Sequence, residues 1–291
     1  MRIGLVLGAG GSLGWVFHLG VLEGLRRGLE QEPAESARII GTSAGAAIAA
    51  GLVSGATTDE IVTAMVTPPT DAEMAIMQSA RQESRRFARW LRPSSPRLLA
   101  LTGSGLGLGA LVGLLPAGIF PTITLRRFPN HGSAPWPPAL WIPAVNLETG
   151  RLLVIGRDRT DIPIIDAIEA TAAVPALFLP KEIDGDRYID GAVRSPTNAD
   201  LLCPEAAELD LIVVSSPMTR PGRGPVRVRA RRQLRDEAAQ LRRSGTRVVT
   251  IEPDEDVLAL AEGFPRNRPD AAPAVIERVA TMTADYCRQR D

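Results

Sequence analysis

Twice near its start the chain runs a short aliphatic stretch into a Gly-X-Ser-X-Gly pentapeptide and then into a helix-like run. Ile3 to Leu7 leads to Gly10-Gly11-Ser12-Leu13-Gly14, and Ile39-Ile40 leads to Gly41-Thr42-Ser43-Ala44-Gly45. Each is a strand-turn-helix unit with glycine where the backbone must turn sharply or pass close to another segment. Two such units in succession commit the start of the chain to strands lying side by side with helices packed over them.

The rest of the sequence keeps that rhythm. Apolar residues at Val16, Leu19, Leu22, Leu25 and Leu29 follow helical spacing, and Thr57-X-X-Glu60 reads as a capping box that opens another helix. Leu152 to Ile155, Leu211 to Val214 and Val248 to Ile251 read as buried strands, and Ala274 to Cys287 as an amphipathic helix. Alternation of this kind predicts an α/β fold whose central sheet is mostly parallel and covered on both faces.

Composition removes several classes of function. With 33 basic and 33 acidic residues the formal charge is zero, so no global field points to nucleic acid. Lys181 is the single lysine, and no Gly-Lys-Ser/Thr tripeptide exists, which excludes a P-loop. Cys203 and Cys287 form neither a disulfide framework nor a metal-ligand spacing and read as reduced thiols. Met1 leads within two residues into a strand-like run, which leaves no room for a secretion signal and sets a cytoplasmic expectation.

One segment departs from the alternation. Residues 81 to 97 hold six arginines against the single acid Glu83, and Leu98 to Leu125 carries no charge at all. Its length exceeds the ~20 residues of a membrane span, yet six glycines and two prolines break it up. The stretch near 81–130 is therefore expected to be an apolar insertion or lid, set within 68–135, and 81–125 is the candidate for peripheral membrane contact at the inner membrane face, with Trp90 beside the arginines. A second basic stretch, Arg220 to Arg243, has nine arginines and a helical pattern, and reads as a solvated helix face.

Either pentapeptide could present a nucleophilic serine at a strained elbow. A serine nucleophile ordinarily uses a histidine base, but the chain has only His18, within the first helical pattern, and His131, in a Pro/Gly-rich stretch. An α/β-hydrolase triad needs a histidine late in the chain, and none follows His131. A buried carboxylate can take the proton instead. Asp190, where Tyr188-Ile189-Asp190 runs into Gly191-Ala192, is the natural candidate, although Asp-Gly is more often just a turn.

The run Gly8-Ala9-Gly10-Gly11-Ser12-Leu13-Gly14-Trp15-Val16-Phe17-His18-Leu19-Gly20-Val21-Leu22, the Gly41 to Gly45 elbow, Ala170-Thr171-Ala172-Ala173-Val174-Pro175 and Asp190-Gly191-Ala192 occur in the order and spacing of patatin-like phospholipases. The chain resembles that family over about residues 3 to 200, and the combination of blocks is far more specific than any one of them. The resemblance implies a three-layer α/β sandwich that extends over the whole of 1–291, with the motif-bearing core in 3–200 and further strands and helices in 201–291. It also implies a Ser/Asp dyad that hydrolyses lipid acyl esters with no catalytic histidine, no metal and no organic cofactor.

By position, Ser43 would be the nucleophile and Asp190 its base. The amides of Gly10 and Gly11 would form the oxyanion hole, with Gly8, Gly14, Gly41, Gly45 and Gly191 supporting the motifs. Ser12 would be a loop residue. The chain departs from the family pattern at Ala9, where a glycine is usual, and at Leu13, where arginine or lysine is usual. Leu13 keeps open a patatin-like protein that binds lipid without cleaving it. A dinucleotide-binding reading of Gly8-X-Gly10 fails because the third glycine of the fingerprint falls on Leu13.

Overall fold

The computed structural model describes residues 1–86, 94–95, 112–116, 118–122, 135–219, 224–265 and 267–288. Most of the insertion expected within 68–135, and His131 and Trp90 with it, lies outside the described residues.

Among the described residues, eight strands make one sheet: β1 (Ile3–Leu7), β2 (Arg38–Gly41), β3 (Leu140–Asn146), β4 (Leu152–Ile155), β5 (Lys181–Ile183), β6 (Asp186–Asp190), β7 (Leu211–Ser215) and β8 (Arg247–Ile251). The order is β5-β6-β3-β2-β1-β7-β8, with β4 paired to β3 off that path. Pairings β3-β2, β2-β1, β1-β7 and β7-β8 are parallel, as the alternation predicts. Pairings β3-β4, β3-β6 and β6-β5 are antiparallel, so the sheet is mixed.

The parallel half explains the aliphatic runs. Every residue of β1 and β7 is buried, as expected of central strands covered on both faces. Successive β1 residues point to opposite layers. Leu5 and Leu7 join a core with α1 (Gly11–Leu29), α2 (Ala44–Val53) and α8 (Ala272–Arg288), while Val6 joins one with Leu201, Leu209 and α6 (Pro225–Arg242). Helix, sheet and helix thus form three layers.

The remaining described helices are α3 (Thr58–Val66), α4 (Asp71–Arg86), α5 (Ile164–Thr171) and α7 (Glu255–Leu260). Thr57 and Glu60 form the expected capping box at α3. Helix α5 packs Ala167 and Ile168 into the core, and Lys181 of β5 ties it down through Asp166 and Glu169. None of the described helices is long and apolar enough to cross a membrane. The described part of the apolar stretch is stitched to the chain beyond α5: the Ile119 and Phe120 amides both donate to Leu177 O, and Phe120 bridges Phe178.

Candidate active site

Strand β2 ends at Gly41 and α2 begins at Ala44, which leaves Ser43 as the N-cap with φ 55° and ψ −118°. A non-glycine residue in that region costs on the order of 1–3 kcal/mol and persists only where its surroundings hold it. Here the Thr42 amide donates to Leu7 O (2.9 Å) and the Ser43 amide to Thr171 Oγ1 (3.2 Å), while the Thr171 hydroxyl donates to Pro143 O (2.6 Å). The helix runs so close beneath the strands that a Cβ on Gly45 would lie 2.0 Å from Leu7 O, and one on Gly41 2.6 Å from the Ala46 Cα. The elbow therefore rests on close approach at both glycines and on a three-point clamp from β1, β3 and α5.

Asp190 closes β6 and caps the short helical turn Gly191–Val193. Strand β3 pairs with both β2 and β6, which carries the ends of those two strands to one place. The Asp190 carboxylate accepts from the Ala192 amide (2.8 Å), and the Ser43 hydroxyl lies near enough to favour its ionised form. With Ser43 7% and Asp190 3% exposed, the pair is screened from water. Burial pushes the Asp190 carboxyl up to about 7, outweighing the Ala192 amide and the nearby Ser43 hydroxyl, both of which favour the carboxylate.

The first glycine turn lies alongside. Gly8 and Ala9 spend their amides on Ser215 O (3.0 Å) and Pro196 O (2.7 Å), whereas Gly10 and Gly11 sit at the start of α1, where a helix leaves its N–H groups without partners of its own. Gly11 takes φ +57°, and a Cβ on Gly10 would collide with Gly14 and Pro217. Gly10, Gly11 and Leu13 line one cavity of ≈ 390 Å³ with Ser43 and Asp190, alongside apolar Val174, Met218 and Val226. Ser12 is exposed and faces a neighbouring cavity instead.

A buried serine and a raised carboxylate on one cavity with a glycine turn is an arrangement that can support acyl transfer. The model of the patatin-like phospholipase family matches residues 5–202. The chain belongs to the patatin-like phospholipase family. Members of this family are lipid acyl hydrolases, which fits the apolar cavity beside Ser43. Among solved structures, VipD from Legionella pneumophila is similar at 14% identity and a TM-score of 0.46, over 98% of this chain and 66% of that one.

In this patatin-like chain His18 is fully buried and committed elsewhere. Its Nε2 lies 2.7 Å from Gly8 O, a group that only accepts, so Nε2 carries the proton and Nδ1 accepts from the Ser215 hydroxyl at 2.7 Å. Burial lowers its pKa to about 4, so the ring is neutral and pins the glycine turn between β1 and β7.

Three residues around the pair carry no motif signal of their own. Thr171 lies within the Ala170–Pro175 block, but its reach to both Ser43 and Pro143 depends on β3, which sequence patterning misses. Asn198, fully buried at φ 51°, donates from Nδ2 to Thr42 Oγ1 (3.2 Å) and Gly191 O (3.3 Å), the neighbours of Ser43 and Asp190. Glu237 of α6 accepts from the Ser195 and Thr197 hydroxyls and the Ala199 amide, so it anchors the loop that carries Asn198. Burial raises its carboxyl pKa. The basic stretch expected to be a solvated face thus has an inner side, where Leu234, Ala238 and Leu241 pack and Arg229 donates to Val193 O and Arg194 O.

Proposed function

We propose that the chain is a serine acyl hydrolase that cleaves lipid acyl esters of phospholipid or lysophospholipid type through a Ser43–Asp190 dyad. The observation that carries this reading is the strained Ser43 elbow sharing one cavity with the buried Asp190 carboxylate, whose ionised form the Ser43 hydroxyl favours. Ser43 Oγ adds to the ester carbonyl carbon while its proton passes to Asp190, and the amides of Gly10 and Gly11 hold the oxyanion. When the intermediate collapses, the bond to the leaving alcohol breaks and that oxygen takes the proton from Asp190. Water then attacks the acyl-enzyme, giving its proton to Asp190. Ser43 leaves protonated and the fatty acid departs.

A base with a pKa of about 7 suits this work, because about half of it is ionised at neutral pH and it is basic enough to take a proton in the transition state. Neutral His18, with both nitrogens occupied, has no part in the proton transfer. The test is a fluorophosphonate probe followed by peptide mapping. Label on the Gly41–Gly45 peptide in the wild type and its absence in Ser43→Ala is the expected result. Label confined to Ser12, or none, would sink the dyad.

A further inference from the structure

The loop that follows Asp190 is gripped along one face of α6. Arg229, Gln233 and Glu237 stand four residues apart in that helix, so they share a face. Arg229 donates to Val193 O (2.9 Å) and Arg194 O (3.0 Å), and Gln233 Nε2 donates to Arg194 O (2.7 Å). Glu237 accepts from the Ser195 and Thr197 hydroxyls and from the Ala199 amide (3.0 Å). Between these grips, two residues of the same loop reach into the site. Pro196 O accepts the Ala9 amide of the glycine turn (2.7 Å), and the Asn198 side chain reaches the serine elbow.

The Asn198 amide can face only one way. The Arg194 guanidinium, which only donates, lies 2.8 Å from Oδ1, while Ser195 O (2.6 Å) and Gly191 O (3.3 Å), which only accept, lie on Nδ2. Held so, Nδ2 also donates to Thr42 Oγ1 at 3.2 Å. Thr42 precedes Ser43 and Gly191 follows Asp190, so one amide ties the strand end that carries the serine to the turn that carries the carboxylate. Asn198 is fully buried, and no solvent competes for these bonds.

Resting on the hydrolase reading above, we infer that Asn198 is a positioning residue that fixes the separation of Ser43 from Asp190, and that Glu237 sets Asn198 by anchoring its loop. Glu237 lies beyond the residues 5–202 that the family model matches, so the dyad's geometry depends on a helix outside the motif-bearing core. Neither residue belongs to the described lining of the cavity that holds Ser43 and Asp190. A nucleophile held loosely against its base loses rate and not affinity.

The test is Asn198→Gly, which keeps the left-handed backbone at φ 51° and removes only the amide. On p-nitrophenyl hexanoate it should lower kcat about 10- to 100-fold with KM within about twofold. The midpoint of its pH–rate profile should move up, because Asp190 loses the Ser43 hydroxyl that favours its ionised form. Glu237→Gln should move both readouts the same way by less, and the double variant should fall no further than Asn198→Gly alone, since the two act through one path. Thr246→Val removes a buried hydrogen bond to Ala206 O beside the start of β8; it should lower the urea midpoint and leave kcat and the pH midpoint unchanged. A loss in Asn198→Gly confined to KM or to stability would overturn the inference, and additive losses in the double variant would overturn the part given to Glu237. Carbon-13 NMR titration of the Asp190 carboxyl, assigned by its loss in Asp190→Asn, reads the same separation without turnover. An upward shift in Asn198→Gly supports the inference even if the wild type cleaves no ester, and an unchanged midpoint refutes it even if the dyad is active.

Discussion

The two glycine-serine turns share a pattern, follow adjacent strands and open the helices α1 and α2, yet they hold opposite geometries. At the first, glycine takes the junction: Gly10 is the N-cap, Gly11 has φ +57°, and Ser12 lies one step inside the helix, exposed. At the second, serine takes the junction and is held at φ 55° by β1, β3 and α5, on the same cavity as Asp190. A turn with glycine at its strained positions offers backbone N–H groups. A turn that forces a serine into that position offers a side chain. The same pentapeptide thus yields a candidate donor site or a candidate nucleophile according to which residue occupies the junction.

The sharpest way to break this comparison is to remove each serine. Ser43→Ala and Asp190→Asn should each lower kcat/KM on p-nitrophenyl hexanoate by about 10³-fold or more, with unchanged circular dichroism, whereas Ser12→Ala should stay within about twofold. Comparable losses at both serines would end the division of roles.

Next in size is the backbone. Gly45→Ala places a Cβ 2.0 Å from Leu7 O and should cost about 3 kcal/mol or more in urea unfolding. Gly11→Ala meets nothing within 4 Å and should cost only the ~1–2 kcal/mol of a left-handed alanine.

The proposed dyad also predicts a pH dependence. Asp190 must be ionised to accept a proton, so kcat/KM should rise with pH to a plateau with its midpoint near about 7. For stability the sign is opposite. The folded state holds the Asp190 proton more tightly than the unfolded chain, so the stability this gives is complete at low pH and is lost as pH rises towards about 7. Neutral His18 acts the other way, its contribution being complete above about 6.5 and lost as pH falls through about 4. Asp190→Asn should remove the first slope and leave the second, as read from urea midpoints across pH.

The smallest effect concerns the clamp. Thr171→Val keeps the shape but leaves the Ser43 amide without its acceptor, which should cost about 1–2 kcal/mol of stability. It should lower kcat more than it raises KM, because the serine's position and not the lipid's cavity is what loosens. A change confined to KM would place Thr171 with the cavity instead.

Much of this arrangement is legible without coordinates. Ile3 to Leu7 and Leu211 to Val214 stand out because central parallel strands are buried on both faces and read as continuous aliphatic runs, and Val248 to Ile251 stands out by its aliphatic run although β8 is a part-buried edge strand. Strand β3 does not, since Pro143 interrupts it and a proline-rich stretch precedes it, and β5 is three residues long with no apolar run. Missing β3 matters most, because it is the shared neighbour of β2 and β6 and supplies the carbonyl that Thr171 grips. Asn198 and Glu237 are equally silent in sequence, where they look like an ordinary loop asparagine and one acid in a basic helix.

By itself the sequence determined the α/β alternation, the glycine positions and the absence of a late histidine, because periodicity, missing side chains and residue counts are local properties of the string. Tertiary structure alone decided which serine sits on the strained junction, that a carboxylate far along the chain lies on the same cavity, and that burial raises that carboxyl to about 7. Those are properties of close approach and desolvation, which arise only when β1, β3, α5 and β6 are brought against the end of β2.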